Sequence, residues 1–203
     1  MRLLGSPGDD EFEVSATPAG EDLILEGNAG EDAFRVTGGG LRSNIRIYGG
    51  EPASTTLGDT LLVRGTSADF GNYQPGSQSD NGRVTANGHN IDFAGLEPVY
   101  AEGFGSFGFT TPRSRDIIDI RAYSAPGGAT WTEISGTSGV VNTGFEVQIR
   151  ANGRDDNAPS RRIGGSALRA HPAPFQRGNG DIIEVSPSAV RVADIGEERS
   201  PLA

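Results

Sequence analysis

Along most of the chain apolar residues alternate with polar ones in short runs, and several of these runs open behind a glycine and an acidic side chain. Gly5 to Val14 and Gly27 to Val36 share the order Gly-x-x-Gly-acidic-Asp-x-Phe-x-Val. Looser versions are Gly20 to Leu25, Gly58 to Val63, Arg115 to Ile120 and Gly180 to Val185. Glycine ends one segment with a positive φ, Asp closes the turn by bonding its own backbone, and the alternation beyond it builds a strand with one buried face. Further runs read the same way: Asn44 to Tyr48, Arg83 to Ala86, Asn90 to Phe93, Glu146 to Arg150 and Ala189 to Val192. No window of ten residues free of Gly and Pro carries apolar positions at i, i+3, i+4 and i+7, and Ser166 to Ala170 offers one turn at most. The pattern predicts an all-β chain.

The two strict copies lie 22 residues apart. Short strands behind Gly-Asp corners at a fixed period suit a β-solenoid, parallel and β-helix-like, in which each coil completes its apolar face only when the next one stacks on it. Such stacking would set Phe12 beside Phe34 and Asp10 beside Asp32. The alternative is a β-sandwich, whose strands would pair antiparallel through hairpins; Asn87-Gly88 between Val84 and Ile91 is a hairpin signal.

Composition narrows the setting. With 31 Gly and 12 Pro, and Val, Ile, Leu and Phe making up only about a fifth of the chain, the core is thin, which favours one elongated domain over residues 1–203. Insertions are expected at 66–82 and 152–180, and a frayed tail at 196–203. A net charge of −10 repels phosphate backbones and anionic membranes, so nucleic acid is not an expected partner. There is no Cys, which excludes disulfides and thiolate metal centres, and all 17 basic residues are Arg. No apolar stretch is long enough to enter a membrane or to serve as a leader, and a start within repeat-like sequence reads as a piece of a larger exported protein.

Candidate catalytic chemistry is sparse. His89 follows the Asn87-Gly88 turn and His171 precedes Pro172, so both read as loop residues. Gly-x-Ser-x-Gly does not occur; Gly105-Ser106-Phe107-Gly108 lacks its first glycine. Gly38-Gly39-Gly40 precedes no helix and reads as a turn. Arg113, Arg115, Asp116 and Arg121 would clamp an acidic sugar or form a plain surface charge row. Phe104, Phe107, Phe109 and Trp131 would fill the core or form a platform for a sugar.

At its two strict copies the sequence resembles the nonapeptide of RTX, or haemolysin-type, calcium-binding repeats, Gly-Gly-x-Gly-x-Asp-x-apolar-x, with Ser6 and Asn28 at the second position. The span Gly58 to Glu97 is similar to the one-per-coil corners of large bacterial exported surface proteins. The resemblance implies an extracellular or cell-surface setting and calcium held by turn carboxylates, here Asp9, Asp10, Glu31 and Asp32. The copies are 22 apart and not in tandem, so these residues serve as ligands only if adjacent turns stack; otherwise they close turns. The expected role is a non-enzymatic structural segment supporting adhesion, surface-layer or filament and matrix assembly, with like subunits or other surface components as partners and homo-oligomers among the forms. The alternative is a polysaccharide-binding or polysaccharide-active β-domain.

Overall fold

The computed structural model of the protein describes residues 1–52, 58–111, 116–124, 130–138, 143–150, 181–186 and 189–194. The strands, in chain order, are β1 (Arg2–Leu4), β2 (Glu11–Val14), β3 (Leu23–Gly30), β4 (Ala33–Thr37), β5 (Ile45–Pro52), β6 (Asp59–Arg64), β7 (Phe70–Pro75) and β8 (Gly82–Ala86). They continue with β9 (His89–Ala94), β10 (Leu96–Glu102), β11 (Ser106–Thr110), β12 (Asp116–Ser124), β13 (Thr130–Ser138), β14 (Thr143–Arg150), β15 (Asp181–Ser186) and β16 (Ala189–Asp194). Among the described residues the only helical turn is a 3₁₀ turn at Gly38–Gly40, where the glycine run was read as a turn.

The protein is all-β, built of two open mixed sheets in a sandwich-like arrangement. One sheet has the order β1-β3-β5-β9-β8-β7-β11-β15-β16, the other β12-β13-β14-β10-β6-β4-β2. The chain crosses from one sheet to the other after β1, β2, β3, β4 and β5, so that β1, β3, β5 and β9 lie parallel in one and β2, β4, β6, β10 and β14 parallel in the other. Antiparallel segments complete each sheet: β7-β8-β9 and β11-β15-β16 in the first, β12-β13-β14 in the second.

Side chains of period two set the register. Leu25, Ile47 and Phe93 form one buried inward row across β3, β5 and β9, and Leu23, Ile45 and Ile91 form the next. In the facing sheet Phe34, Leu61, Val99 and Val147 line up, flanked by Val36, Val63, Ala101 and Ile149. Each such side chain adds roughly 1.5–3 kcal/mol when taken fully from water. Phe12 pairs with Phe34 at strand level, and their rings stack with centroids 4.8 Å apart and planes 8° from parallel.

Two local expectations are refined. Thr66 to Gly82 is not loop throughout: Phe70–Pro75 is a strand whose Gly71, Tyr73 and Pro75 face inward, folded back onto β8. The Asn87-Gly88 hairpin is present, with φ of 51° and 82° at its corner and Ala86 opposite His89. The expected insertion at 152–180 and tail at 196–203, with His171, lie outside the described residues.

Candidate functional site

The strand register brings the acidic corners together in one column. The Asp10 N–H donates to Asp32 Oδ1 at 2.8 Å, and the Asp32 N–H donates to Asp59 Oδ1 at 2.8 Å. Two backbone bonds run beside them, Ala33 N–H to the Asp10 carbonyl and Thr60 N–H to the Asp32 carbonyl, each 2.8 Å. Each aspartate thus binds the backbone of the preceding corner, and the separations are 22 and 27 residues. On the outer side of the same corner Asp9 Oδ1 accepts the Glu31 N–H at 2.8 Å.

A second column, of glycines, packs against the first. A Cβ at Gly27 would lie 2.8 Å from the Asp32 carboxyl carbon, and closer still to Asp32 Oδ2 and the Gly49 carbonyl oxygen. Gly49 stands in the same relation to Asp59 and the Gly95 carbonyl, and Gly5 to Asp10 Oδ2 at 2.6 Å and the Gly27 carbonyl at 2.5 Å. The carboxylate rests where a side chain would begin, against a glycine Cα–H, which is a weak donor. Asp32 Oδ2 is buried with no N–H or O–H partner, while Asp10 Oδ2 accepts the Ser6 N–H at 2.6 Å. Only glycine leaves room for this contact, because no real Cβ sits under 3.0 Å from such atoms.

The electrostatics follow from this burial. Desolvation pushes the Asp32 carboxyl above its ordinary range; the bond from the Asp10 backbone opposes that, and the charges of Asp10 and Asp9 add to it. Asp59 is raised in the same way, by burial first, with the charges of Asp32 and Glu31 adding to it. Both are 1% exposed, so their charge is held by backbone N–H groups instead of water.

Of the four carboxylates expected to hold calcium, Asp9, Asp10 and Asp32 therefore accept backbone hydrogens at adjacent corners, and Glu31 joins them through its own N–H, which donates to Asp9. Calcium takes six to eight oxygens. Among the described residues no three acidic or histidine side chains are grouped as a metal's ligand set, and the space beside Asp32 Oδ2 is filled by Gly27 and the Gly49 carbonyl. No chemical step is assigned to an ion here.

The opposite corner is sewn by Thr17, which is 4% exposed. Its Oγ1 accepts the Arg42 N–H at 2.8 Å and the Ser43 N–H at 3.0 Å. Neither Thr17 nor the glycine of the third corner, Gly49, stood out in the sequence; the Gly49-Gly50 doublet was the available signal.

Arg113 and Arg115 lie outside the described residues, and so does the side chain of Asp116. Arg121 Nε donates to Glu133 Oε1 at 2.6 Å, so its guanidinium is held by a buried carboxylate on the neighbouring strand. Phe104, Phe107 and Phe109 are fully buried core residues. Trp131 is buried too, edge-on to Tyr100 at 5.5 Å with the Arg150 guanidinium 6.0 Å from its ring. His89 is half-buried at the start of β9. Comparison with protein-family models, with curated proteins and with solved structures gives no match.

Proposed function

We propose that this chain is a β-solenoid segment whose role is structural: a stack of coils of about 22 residues that gives a secreted or cell-surface bacterial protein a stiff spacer for adhesion or surface assembly. The observation that carries the reading is the run of parallel strands at matched positions in both sheets, with Phe12 lying on Phe34 and Asp10 bonded to Asp32 across the same 22 residues. A layer of this kind buries its apolar side only against its neighbours, so stability grows with each layer added. The aspartate and glycine columns act as the lock of register: a one-residue slip would drive a Cβ into a carboxylate at every corner.

A duplication experiment tests the architecture. Inserting a second copy of residues 27–48 after Tyr48 adds one coil; inserting only residues 27–37 adds half of one and throws every later strand into the wrong sheet. The full-coil chain is expected to fold, to unfold at an equal or higher temperature, and to lengthen by about 4.8 Å in small-angle scattering. The half-coil chain is expected to lose cooperative unfolding. Equal failure of both insertions would refute the stacked reading and leave a sandwich.

A further inference from the structure

Asparagine precedes glycine at positions 81, 87, 152 and 179, and the last two pairs lie outside the described residues. The main-chain nitrogen that follows an asparagine can attack the side-chain amide carbon and close a cyclic imide. Glycine favours this because it has no side chain to shield its nitrogen. The reaction also needs that nitrogen clear of other bonds and within reach of water. The two described pairs stand at opposite ends of β8 and differ in this respect. Gly82 lies inside the sheet, opposite Pro75 on one side and Phe93 on the other. A Cβ on it would meet the Phe93 ring at 2.7 Å and the Gln74 carbonyl at 2.9 Å. Asn87 and Gly88 are exposed at the tip of the β8-β9 hairpin, beyond the last pair of its ladder, Ala86 and His89. Among the described residues the Gly88 N–H has no partner, and nothing lies within 4 Å of its Cβ position. The Asn87 side chain is tied in place: its Oδ1 accepts the Phe70 N–H at 3.4 Å and its Nδ2 donates to Asp69 Oδ1 at 2.9 Å.

We infer that Asn87 is a self-modification site, at which the exposed hairpin tip converts its own amide to an acid. The Gly88 nitrogen bonds to Asn87 Cγ, the Cγ–Nδ2 bond breaks, and ammonia leaves with the hydrogen that Gly88 gave up. Water, the only other reactant, then opens the imide at either carbonyl and leaves aspartate or isoaspartate at position 87. Both products undo the corner. Burial acts to raise the Asp69 carboxyl, but the bonds from Asn87 and Thr66 outweigh it and hold that carboxyl below its ordinary range. Either product replaces the Nδ2 donor with a second carboxylate, and two like charges in hydrogen-bond range repel. Asp69 also fastens the β10-β11 connection, since its carbonyl accepts the Gly105 N–H at 3.1 Å, so the disturbance passes beyond the hairpin. Isoaspartate adds a main-chain carbon to a turn whose φ values of 51° and 82° fit a two-residue loop. The hairpin therefore ages in one direction.

Incubation of the folded full chain in mildly alkaline buffer, followed by tryptic mapping in the mass spectrometer, tests this. Cleavage after Arg64, Arg83 and Arg113 puts Asn81 in one peptide and Asn87 in the next, and fragment ions separate Asn87 from Asn90. Asn87 is expected to convert about tenfold or more faster than Asn81, because reaction at Asn81 first requires β8 to open locally. In urea that unfolds the chain the two rates should come together, since the fold is what distinguishes them. Asn87→Asp makes the first product directly and is expected to lower the unfolding temperature. Adding Asp69→Asn should return much of that loss by setting an amide donor opposite the carboxylate at 87. Equal rates in the folded chain, faster conversion at Asn81, or conversion at Asn87 only after unfolding overturns the site. An Asn87→Asp chain as stable as the parent overturns the claim that the reaction loosens the corner.

Discussion

Gly27→Ala isolates the contact on which the corner column depends. Gly27 does not have a positive φ, so alanine is acceptable to the backbone, and only the added methyl group is at issue. That methyl would sit 2.8 Å from the Asp32 carboxyl carbon and nearer still to Oδ2 and the Gly49 carbonyl, and these atoms lie in or against backbone with little freedom to retreat. Overpacking of this kind costs about 1–3 kcal/mol. If the carboxylate swings away, the Asp10 N–H loses its 2.8 Å acceptor, for about another 1–3 kcal/mol. A total of about 2–6 kcal/mol is expected, a large share of the stability of a domain this size. At a urea dependence of about 2 kcal/mol per molar, the unfolding midpoint should fall by roughly 1–3 M. Gly144→Ala is the control: nothing lies within 4 Å of its added methyl group, and it should raise stability by about 0.4–1 kcal/mol through the unfolded chain. Combining Gly27→Ala with Asp32→Ala removes the carboxylate from the clash but leaves the Gly49 carbonyl, so the double variant should lose at least about 1 kcal/mol less than the sum of the singles. A Gly27→Ala midpoint within error of the parent, or strict additivity in the double variant, would refute the argument.

Other outcomes follow from the same contacts. Asp32 and Asp59 have carboxyl groups raised in the folded state, so the folded chain takes up their protons first; their charge weakens the fold at neutral pH, and that loss is relieved as pH falls through the raised values towards the ordinary value of about 3.9. Asp32→Asn keeps an oxygen for the Asp10 N–H and should flatten this part of the pH profile of urea midpoints; an unchanged profile would show that Asp32 does not contribute. Phe34→Ala should cost about 3–5 kcal/mol and Phe12→Ala about half as much, since Phe34 is 1% exposed and Phe12 is only half-buried; equal losses would contradict this difference in burial. Thr17→Val strips the acceptor from two backbone N–H groups and should cost about 2–4 kcal/mol by urea unfolding, whereas Thr17→Ser should restore most of it. Thermal unfolding in about 5 mM calcium, above the roughly 0.1–1 mM constants of weak extracellular sites, should match unfolding in chelator, because Asp9, Asp10 and Asp32 already accept backbone hydrogens and Gly27 and the Gly49 carbonyl crowd the one unpartnered oxygen, Asp32 Oδ2; a clear rise with calcium would assign these carboxylates to an ion.

The parts of this fold that were legible in the chain are those where a local rule and a long-range contact ask for the same residue. Gly27, Asp32 and Phe34 each satisfy a turn or strand preference and also meet a partner 22 or 27 residues away, so the repetition shows on the page. Asp59 was visible as a corner, but its glycine partner was not: ten residues separate Gly49 from Asp59, against five between Gly27 and Asp32, and fixed-spacing comparison cannot join them. Strand β7 was hidden for a different reason. Its inward positions are Gly71, Tyr73 and Pro75, and Gly71 is small because the Phe107 and Phe104 rings occupy the space where a side chain would project, so the apolar volume expected on β7 is supplied by a neighbour. Thr17 was invisible because a hydroxyl that accepts two backbone hydrogens looks, in sequence, like any surface threonine. The meander of β12, β13 and β14 carries the same alternation as the parallel strands, and period two alone does not tell the two pairings apart.

The unequal spacing has a practical corollary. Gly27 meets Asp32 across five positions and Gly49 meets Asp59 across ten, yet both reach the same mutual arrangement, so the intervening segment is a place where length is cheap. Doubling such a connection adds only about 0.6 kcal/mol of closure entropy. An epitope, a tag or a binding peptide grafted between Pro52, where β5 ends, and Gly58 would ride on the scaffold without disturbing the joint that carries it.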